Sequence, residues 1–323
     1  MEKILRVDNL KLYYYTSKGV VKAVDDVSFS LKKGETLGLV GESGCGKTTT
    51  GFALLKMPTP PGRIVGGKIE VDGLDITPLS EGEMRKNVRW EKISMVFQGA
   101  MNTLTPVYTI GKQMMETLQE HRQMEREQAR KRIEKYLNLV GLSGEVVKRY
   151  PHELSGGMKQ RIAIATALFL EPRVIICDEP TTALDVIVQA QIINLLKDLK
   201  EKLDLSFIFI THDLATEAEV SDRIAVMYAG KIVEIGRNGQ IYGEEGPCHP
   251  YTRNLLAATP RLHEKVSTLS FIPGAPPDLL EPPPGCRFHP RCSVAMEKCA
   301  QEEPPLIEIE EEHMVACWRC EKR

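Results

Sequence analysis

Gly41-Glu42-Ser43-Gly44-Cys45-Gly46-Lys47-Thr48-Thr49 follows the apolar run from Thr36 to Val40 and opens a helical stretch. The segment fits the spacing G-x-x-x-x-G-K-S/T, a turn that holds phosphate. Its glycines let the chain bend until successive N–H groups face one anion, with the positive end of the following helix dipole behind them. The candidate nucleotide contacts are Gly41, Ser43, Gly44, Cys45, Gly46, Lys47, Thr48 and Thr49. Lys47 would reach the β- and γ-phosphates, and the Thr48 hydroxyl would take one position on Mg2+. Cys45 reads as a small filler beside the phosphates, not a redox thiol.

Outward from this loop, 323 residues allow one sizeable α/β domain and a smaller appendage. A hydrophobic fraction of 42% supports a packed core, and a net charge of −2 gives no general attraction to nucleic acid. No basic patch of sufficient length compensates, so nucleic acid is not an expected partner. No apolar run approaches the roughly 20 residues that span a bilayer, and the opening residues do not read as a signal peptide. The expectation is a cytoplasmic protein placed against a membrane protein. Its eight cysteines are then expected as free thiols. Cys45, Cys177 and Cys248 are scattered, whereas Cys286, Cys292, Cys299, Cys317 and Cys320 crowd the C-terminal end.

The stretch from Leu5 to Leu31 mixes β-branched, aromatic and polar residues around Ser17-Lys18-Gly19 and reads as antiparallel strands. Tyr13, Tyr14 and Tyr15 alternate faces there, and an aromatic just before a phosphate loop can stack on adenine; Tyr14 is the candidate. A helix is predicted from Thr49 to Lys56, a hairpin from Ile64 to Asp75, and a strand from Ile93 to Phe97 that ends at Gln98. From Ile110 to Leu139 the chain is charged and helical, with Met114, Leu118, Ile133, Leu137 and Val140 forming an apolar stripe. Buried strands resume at Val174–Cys177, ending in Asp178-Glu179, and at Phe207–Ile210, ending in Thr211-His212-Asp213. An amphipathic helix from Val186 to Lys202 lies between them. Polar groups beyond strand carboxyl ends are where open α/β sheets bind ligands. After Gly236 the composition shifts, and Phe271 to Gly285 is dense in proline, as in a stiff linker or wrapping segment.

Leu154-Ser155-Gly156-Gly157-Met158 precedes a second helix and makes a second anion-binding type of N-terminus. Taken alone, Ser155 is an ordinary N-cap. Taken with the phosphate loop, the chain resembles the nucleotide-binding subunit of an ABC transporter, in which the signature LSGGQ follows a helical subdomain. Here Met158 replaces the glutamine, while Ser155, Gly156 and Gly157 are kept. The resemblance implies a mixed α/β fold of ABC ATPase type with an antiparallel β subdomain. An inserted helical subdomain, at about 99–165, lies within a nucleotide-binding domain over 1–236, and a cysteine-rich extension covers 237–323. It further implies that ATP and Mg2+ are the ligands. By the same resemblance, Gln98 would sense Mg2+ and couple to a membrane partner, and Asp178 would support the ion. Glu179 matches the catalytic base, Ala183-Leu184-Asp185 matches the D-loop and His212 would contact the γ-phosphate. A carboxylate at a buried strand end can orient water and take its proton. ATP held by one subunit would be covered by Ser155, Gly156 and Gly157 of another.

His249-Pro250-Tyr251-Thr252-Arg253, Pro273-Gly274-Ala275-Pro276-Pro277 and Gly285-Cys286-Arg287-Phe288-His289-Pro290-Arg291-Cys292 resemble the C-terminal extension of oligopeptide and dipeptide importer ATPases, most closely the D-type. This implies a peripheral subunit on the cytoplasmic face of the membrane. Its partners would be a second ATPase (an F-type chain or a second copy), two transmembrane permease subunits and an extracytoplasmic substrate-binding protein. Nickel importers share this tail, and soluble ABC ATPases of ribosomes or DNA are the more distant alternative. Cys286, Cys292, Cys299 and Cys317 are the expected ligands of a 4Fe-4S cluster, with Zn2+ as the alternative and Cys320 left over.

Overall fold

Continuous apolar runs in this chain become fully buried strands, and alternating runs become strands with one exposed face. The computed structural model describes residues 2–122, 124–258 and 272–320. Phe271, at the start of the proline-rich stretch, lies outside the described residues. The chain begins with the long strands β1 (Lys3–Thr16) and β2 (Gly19–Lys32), followed by the buried β3 (Thr36–Val40) and α1 (Lys47–Leu54). Next come β4 (Gly62–Val71), β5 (Leu74–Asp75), α2 (Glu81–Asn87) and β6 (Ile93–Val96). The charged stretch forms two helices, α3 (Ile110–His121) and α4 (Arg126–Leu139), because Arg122 leaves the helical conformation with φ −133° and ψ 130°. Then follow α5 (Gly156–Leu168), β7 (Val174–Asp178), α6 (Val186–Leu203), β8 (Ser206–Ile210), α7 (Leu214–Val220), β9 (Arg223–Tyr228) and β10 (Lys231–Arg237). The C-terminal part contributes α8 (Asn238–Tyr242), α9 (Pro250–Ala257), α10 (Glu297–Gln301), β11 (Ile307–Glu310) and β12 (His313–Val315). Among the described residues no helix is long and apolar enough to cross a membrane.

Two compact units divide these elements. The first contains Glu70–Ile208 with Leu31–Gly34 and the first residues of β1. In it β6 and β7 pair in parallel, from Ile93 opposite Val174 to Val96 opposite Cys177, and every residue of both is buried. The expected apolar stripe is present: Met114, Leu118, Ile133, Leu137 and Val140 are all buried. Tyr136 anchors this helical part, its hydroxyl donating to Glu171 at 2.7 Å, and Arg122 grips Glu91 with bonds of 2.9 and 2.7 Å. Bidentate pairs of this kind fix orientation as well as charge.

The second unit contains Arg6–Ser30, Glu35–Ile69 and Phe209–Arg323. Here β3 pairs in parallel with β9, with Val40 opposite Val226, and β9 pairs antiparallel with β10. The far end of the chain continues this sheet, since β12 adds to β10 with Val315 opposite Glu234, and β11 adds to β12. Val40, Val226, Tyr228, Tyr251 and Phe288 share one buried cluster, so residues beyond 236 build core together with the strand that feeds the phosphate loop. Tyr228 lies 4.5 Å from Tyr251 and 5.2 Å from Phe288 between ring centroids, each such pair adding about 0.5–1.5 kcal/mol beyond the area it buries. The proline-rich segment wraps rather than links: Leu279 accepts a backbone bond of 3.0 Å from Lys22, and Ile272 and Leu279 pack against the buried cluster.

Candidate nucleotide site and cysteine cavity

In the second unit, β3 delivers its chain directly into the glycine loop. Gly41, Gly44 and Gly46 have φ of 148°, 79° and 108°, a region that L side chains rarely adopt. A Cβ on Gly46 would lie 2.4 Å from the Ala23 carbonyl oxygen, so the loop also packs too closely there for any side chain. With the turn closed at Gly46, α1 starts at Lys47, two residues before the predicted helix. The Lys47 ammonium is buried and donates to the carbonyl oxygens of Gly41 at 2.7 Å and Glu42 at 3.1 Å. It is thus held inside the loop it serves. Cys45 is buried, and burial pushes its thiol up, which agrees with a filler. His212 and Asp213 follow β8 in the same unit; His212 is exposed, and Asp213 caps α7 by accepting from the N–H groups of Ala215 and Thr216. Tyr14 is half-buried and packs on Gly62, where a Cβ would approach its ring to 2.8 Å. Tyr13 instead donates its hydroxyl to Asp25 at 2.6 Å, and Tyr15 lies under the Arg63 guanidinium.

In the first unit, β7 ends in the buried Asp178 and then turns at Glu179, which takes a positive φ of 46°. The Glu179 carboxylate accepts from Gln98 Nε2 at 2.9 Å and from Thr182 Oγ1 at 2.9 Å. Gln98 and Glu179, separated in sequence, are therefore brought together. Thr182 is a partner that motif reading missed. Ser155 caps α5 by accepting from the Met158 N–H, and Asp185 caps α6 by accepting from the Val188 N–H at 3.0 Å. These two helix starts meet: a Cβ on Gly157 would fall 2.7 Å from Val188 Cγ1, and one on Gly156 3.4 Å from Leu184.

The cysteines correct one expectation and leave another open. Cys248 and Cys320 form a disulfide across 72 residues, so not all eight cysteines are free thiols, and Cys320 is bonded to Cys248 while Cys286, Cys292, Cys299 and Cys317 remain free. Cys286, Cys292, Cys299 and Cys317 line one small apolar cavity with His249, Phe288 and Trp318. Burial, followed by the neighbouring cysteines, pushes the Cys286 thiol up to about 11. His249 is buried against the same cavity and is held near a pKa of about 4 by that burial. Its backbone and that of Cys248 bind the buried Glu234 carboxylate, which also accepts from His313. Among the described residues no three His, Cys, Asp or Glu side chains are grouped to hold a metal ion.

This combination of a glycine-lined phosphate loop, a strand-end carboxylate and a glycine signature at a helix start defines a class, the ABC-type ATPases. Residues 24–182 match the ABC transporter family, and residues 233–299 match the oligopeptide/dipeptide transporter C-terminal region. The dipeptide transport ATP-binding protein DppD of Bacillus subtilis is 47% identical over 326 residues, covering 100% of this chain and 96% of that protein. The oligopeptide transport ATP-binding protein OppD of Escherichia coli is 45% identical, covering 98% and 94%. Among solved structures, the dimeric ATP-binding cassette MJ0796 in a post-hydrolysis state with ADP and Pi superposes with a TM-score of 0.64 at 28% identity, covering 72% of this chain and 98% of that one. The chain belongs to the family of ATP-binding subunits of oligopeptide and dipeptide ABC transporters, and it is a transport ATPase.

Proposed function

We propose that this subunit drives import of dipeptides or oligopeptides, with ATP and Mg2+ bound at the loop Gly41–Thr49. The carrying observation is the Glu179 carboxylate, held at the end of a buried strand by Gln98 and Thr182. A carboxylate so fixed can orient a water for in-line attack and take its proton. Lys47 would exchange its loop carbonyls for phosphate oxygens, Thr48 and Gln98 would complete the Mg2+ shell with Asp178 behind them, and His212 would contact the γ-phosphate. Tyr14 is the adenine platform. Ser155, Gly156 and Gly157, with Asp185 beside them, would cover the nucleotide of a second ATPase subunit, an F-type chain or another copy. Closure and release of that pair would be transmitted to two permease subunits on the cytoplasmic face and so to cargo delivered by a binding protein. Peptide is favoured over nickel because the relatives named above are peptide transporters.

The experiment is Glu179→Gln in the assembled transporter. ATP-dependent association of the ATPase subunits should persist while hydrolysis falls roughly a hundredfold or more. Turnover at the parent rate would remove Glu179 from the role of base.

Cys286, Cys292, Cys299 and Cys317 match a 4Fe-4S cluster by donor type and number and line one cavity, but among the described residues they are not drawn together as a metal-holding group; the disulfide accounts for the fifth cysteine. When bound, the cluster would supply a structural cross-link to a loop-rich segment. Cys286, Cys292, Cys299 and Cys317 would supply the thiolates, and Phe288 and Trp318 would exclude water. An anaerobic preparation should be brown, contain iron and bleach with dithionite; a colourless preparation containing zinc assigns the same thiols to zinc instead.

A further inference from the structure

The tail reaches the nucleotide loop through a contact that phosphate-loop logic does not require. Arg291 lies one residue before Cys292, and its side chain is 6% exposed. Both terminal nitrogens face the Glu42 carboxylate, Nη1 to Oε2 at 2.7 Å and Nη2 to Oε1 at 3.0 Å. Nη1 also donates to the Tyr228 hydroxyl at 3.2 Å, and Nε donates to the Pro273 carbonyl at 2.7 Å. The guanidinium is therefore locked by three directions of hydrogen bonding. On the backbone side, the Glu42 N–H donates to the hydroxyl of the fully buried Tyr251 at 2.9 Å. Glu42, the second residue of the loop, is thus held by the tail at both its peptide and its carboxylate.

A negative side chain is an awkward component of a loop that gathers a triphosphate, because like charges repel and the repulsion is weakly screened when one is partly buried. A bidentate guanidinium neutralises that charge and fixes its direction. We infer that Arg291 and Tyr251 are positioning residues for ATP binding: they draw the Glu42 carboxylate away from the phosphate site and set the loop backbone at Glu42. The inference rests on the reading of Gly41–Thr49 as the ATP loop. It adds that nucleotide affinity is controlled by a residue in the cysteine-bearing segment.

The test uses the full chain in its transporter, with KM for ATP, kcat and thermal melting measured together. Arg291→Met keeps the length and the packing on Tyr228 and Phe288 but removes the charge. KM should rise about tenfold with kcat within about twofold, and the increase should shrink at high salt as the repulsion is screened. Adding Glu42→Gln should bring KM back to within about twofold of the parent, although the ion pair is still missing. Tyr251→Phe should raise KM about threefold. If Arg291→Met does not fold, Arg291→Lys supplies the same measurement at smaller amplitude, since a single ammonium cannot make the bidentate contact. An unchanged KM in a folded Arg291 variant overturns the inference, and so does a double variant as weak as the single one. Lys47→Ala serves as the control: if it binds ATP normally, the phosphate-loop reading fails, and not the positioning role.

Discussion

The glycine loop and the cysteine cavity lie in one unit and are built from different materials. The loop makes its site from backbone: three glycines at positive φ bend the chain, and Lys47 adds a single charge. The cavity is lined by side chains, among them four sulfurs, one in α10 and three on irregular segments, positioned by β10–β12 pairing, a disulfide and an aromatic cluster. A backbone site therefore fails when the chain can no longer bend. A side-chain site fails when one donor changes its chemistry.

The largest effect should test the first half of that contrast. Gly46→Ala places a methyl 2.4 Å from the Ala23 carbonyl oxygen at a φ of 108°, whereas Gly44→Ala meets nothing within 4 Å. ATP binding by the Gly46 variant should fall by a hundredfold or more, while Gly44→Ala should lose much less, its cost being about 1–2 kcal/mol of left-handed backbone. Equal losses in a nucleotide-binding titration would show that both positions fail for the same backbone reason, and that close packing at Gly46 adds nothing. The second half is tested by paired substitutions. If the cavity holds the proposed cluster, Cys292→Ser should abolish bound iron, and Cys320→Ser should retain it while melting at a lower temperature. Equal iron content in the two would break the division of the cysteines into four and two.

The smallest effect concerns a carboxyl belonging to neither site. Glu217 in α7 is fully buried against Gly38 of β3, bonds to Ser221 and has one oxygen without a partner among the described residues. Burial, reinforced by Asp213, pushes its pKa from 4.5 up to about 8. The folded chain then keeps a proton that the unfolded chain releases above about 4.5, so stability falls as pH rises from there to about 8. Glu217→Gln should raise the melting temperature by a few degrees at pH 8.5 and leave it nearly unchanged at pH 4. A uniform shift at both values would mean that packing, not ionisation, is responsible.

What the sequence made legible follows the same division between local and distant order. The phosphate loop, the strand ends at Asp178 and Thr211 and the apolar stripe from Met114 to Val140 each carry their signal within a few turns of chain. Gln98 had no weight alone, acquired it from its place among the other motifs, and is set by the fold against Glu179. Thr182 gave no signal, and Tyr251 and Arg291 stood out only as parts of family-like stretches with no role of their own, because those roles depend on residues that approach only after folding. The disulfide was misjudged for a similar reason, since compartment chemistry predicted free thiols and the fold placed Cys248 beside Cys320. The break at Arg122 that divides the charged helical stretch into α3 and α4 is a local event that composition did not show.

The contact between Arg291 and Glu42 also imposes an order on synthesis. The two residues are separated by 249 positions. At cellular elongation rates of about 5–20 residues per second, the guanidinium leaves the ribosome roughly 12 to 50 seconds after the carboxylate it will hold. During that interval Tyr251 and Phe288 are missing from the cluster around Val40 for most of the time, so the nascent chain carries a finished phosphate-loop sequence on an unfinished core. A ribosome that stalls before codon 291 releases a chain whose nucleotide loop has lost its external support, and such a product presents an apolar surface to chaperones and proteases.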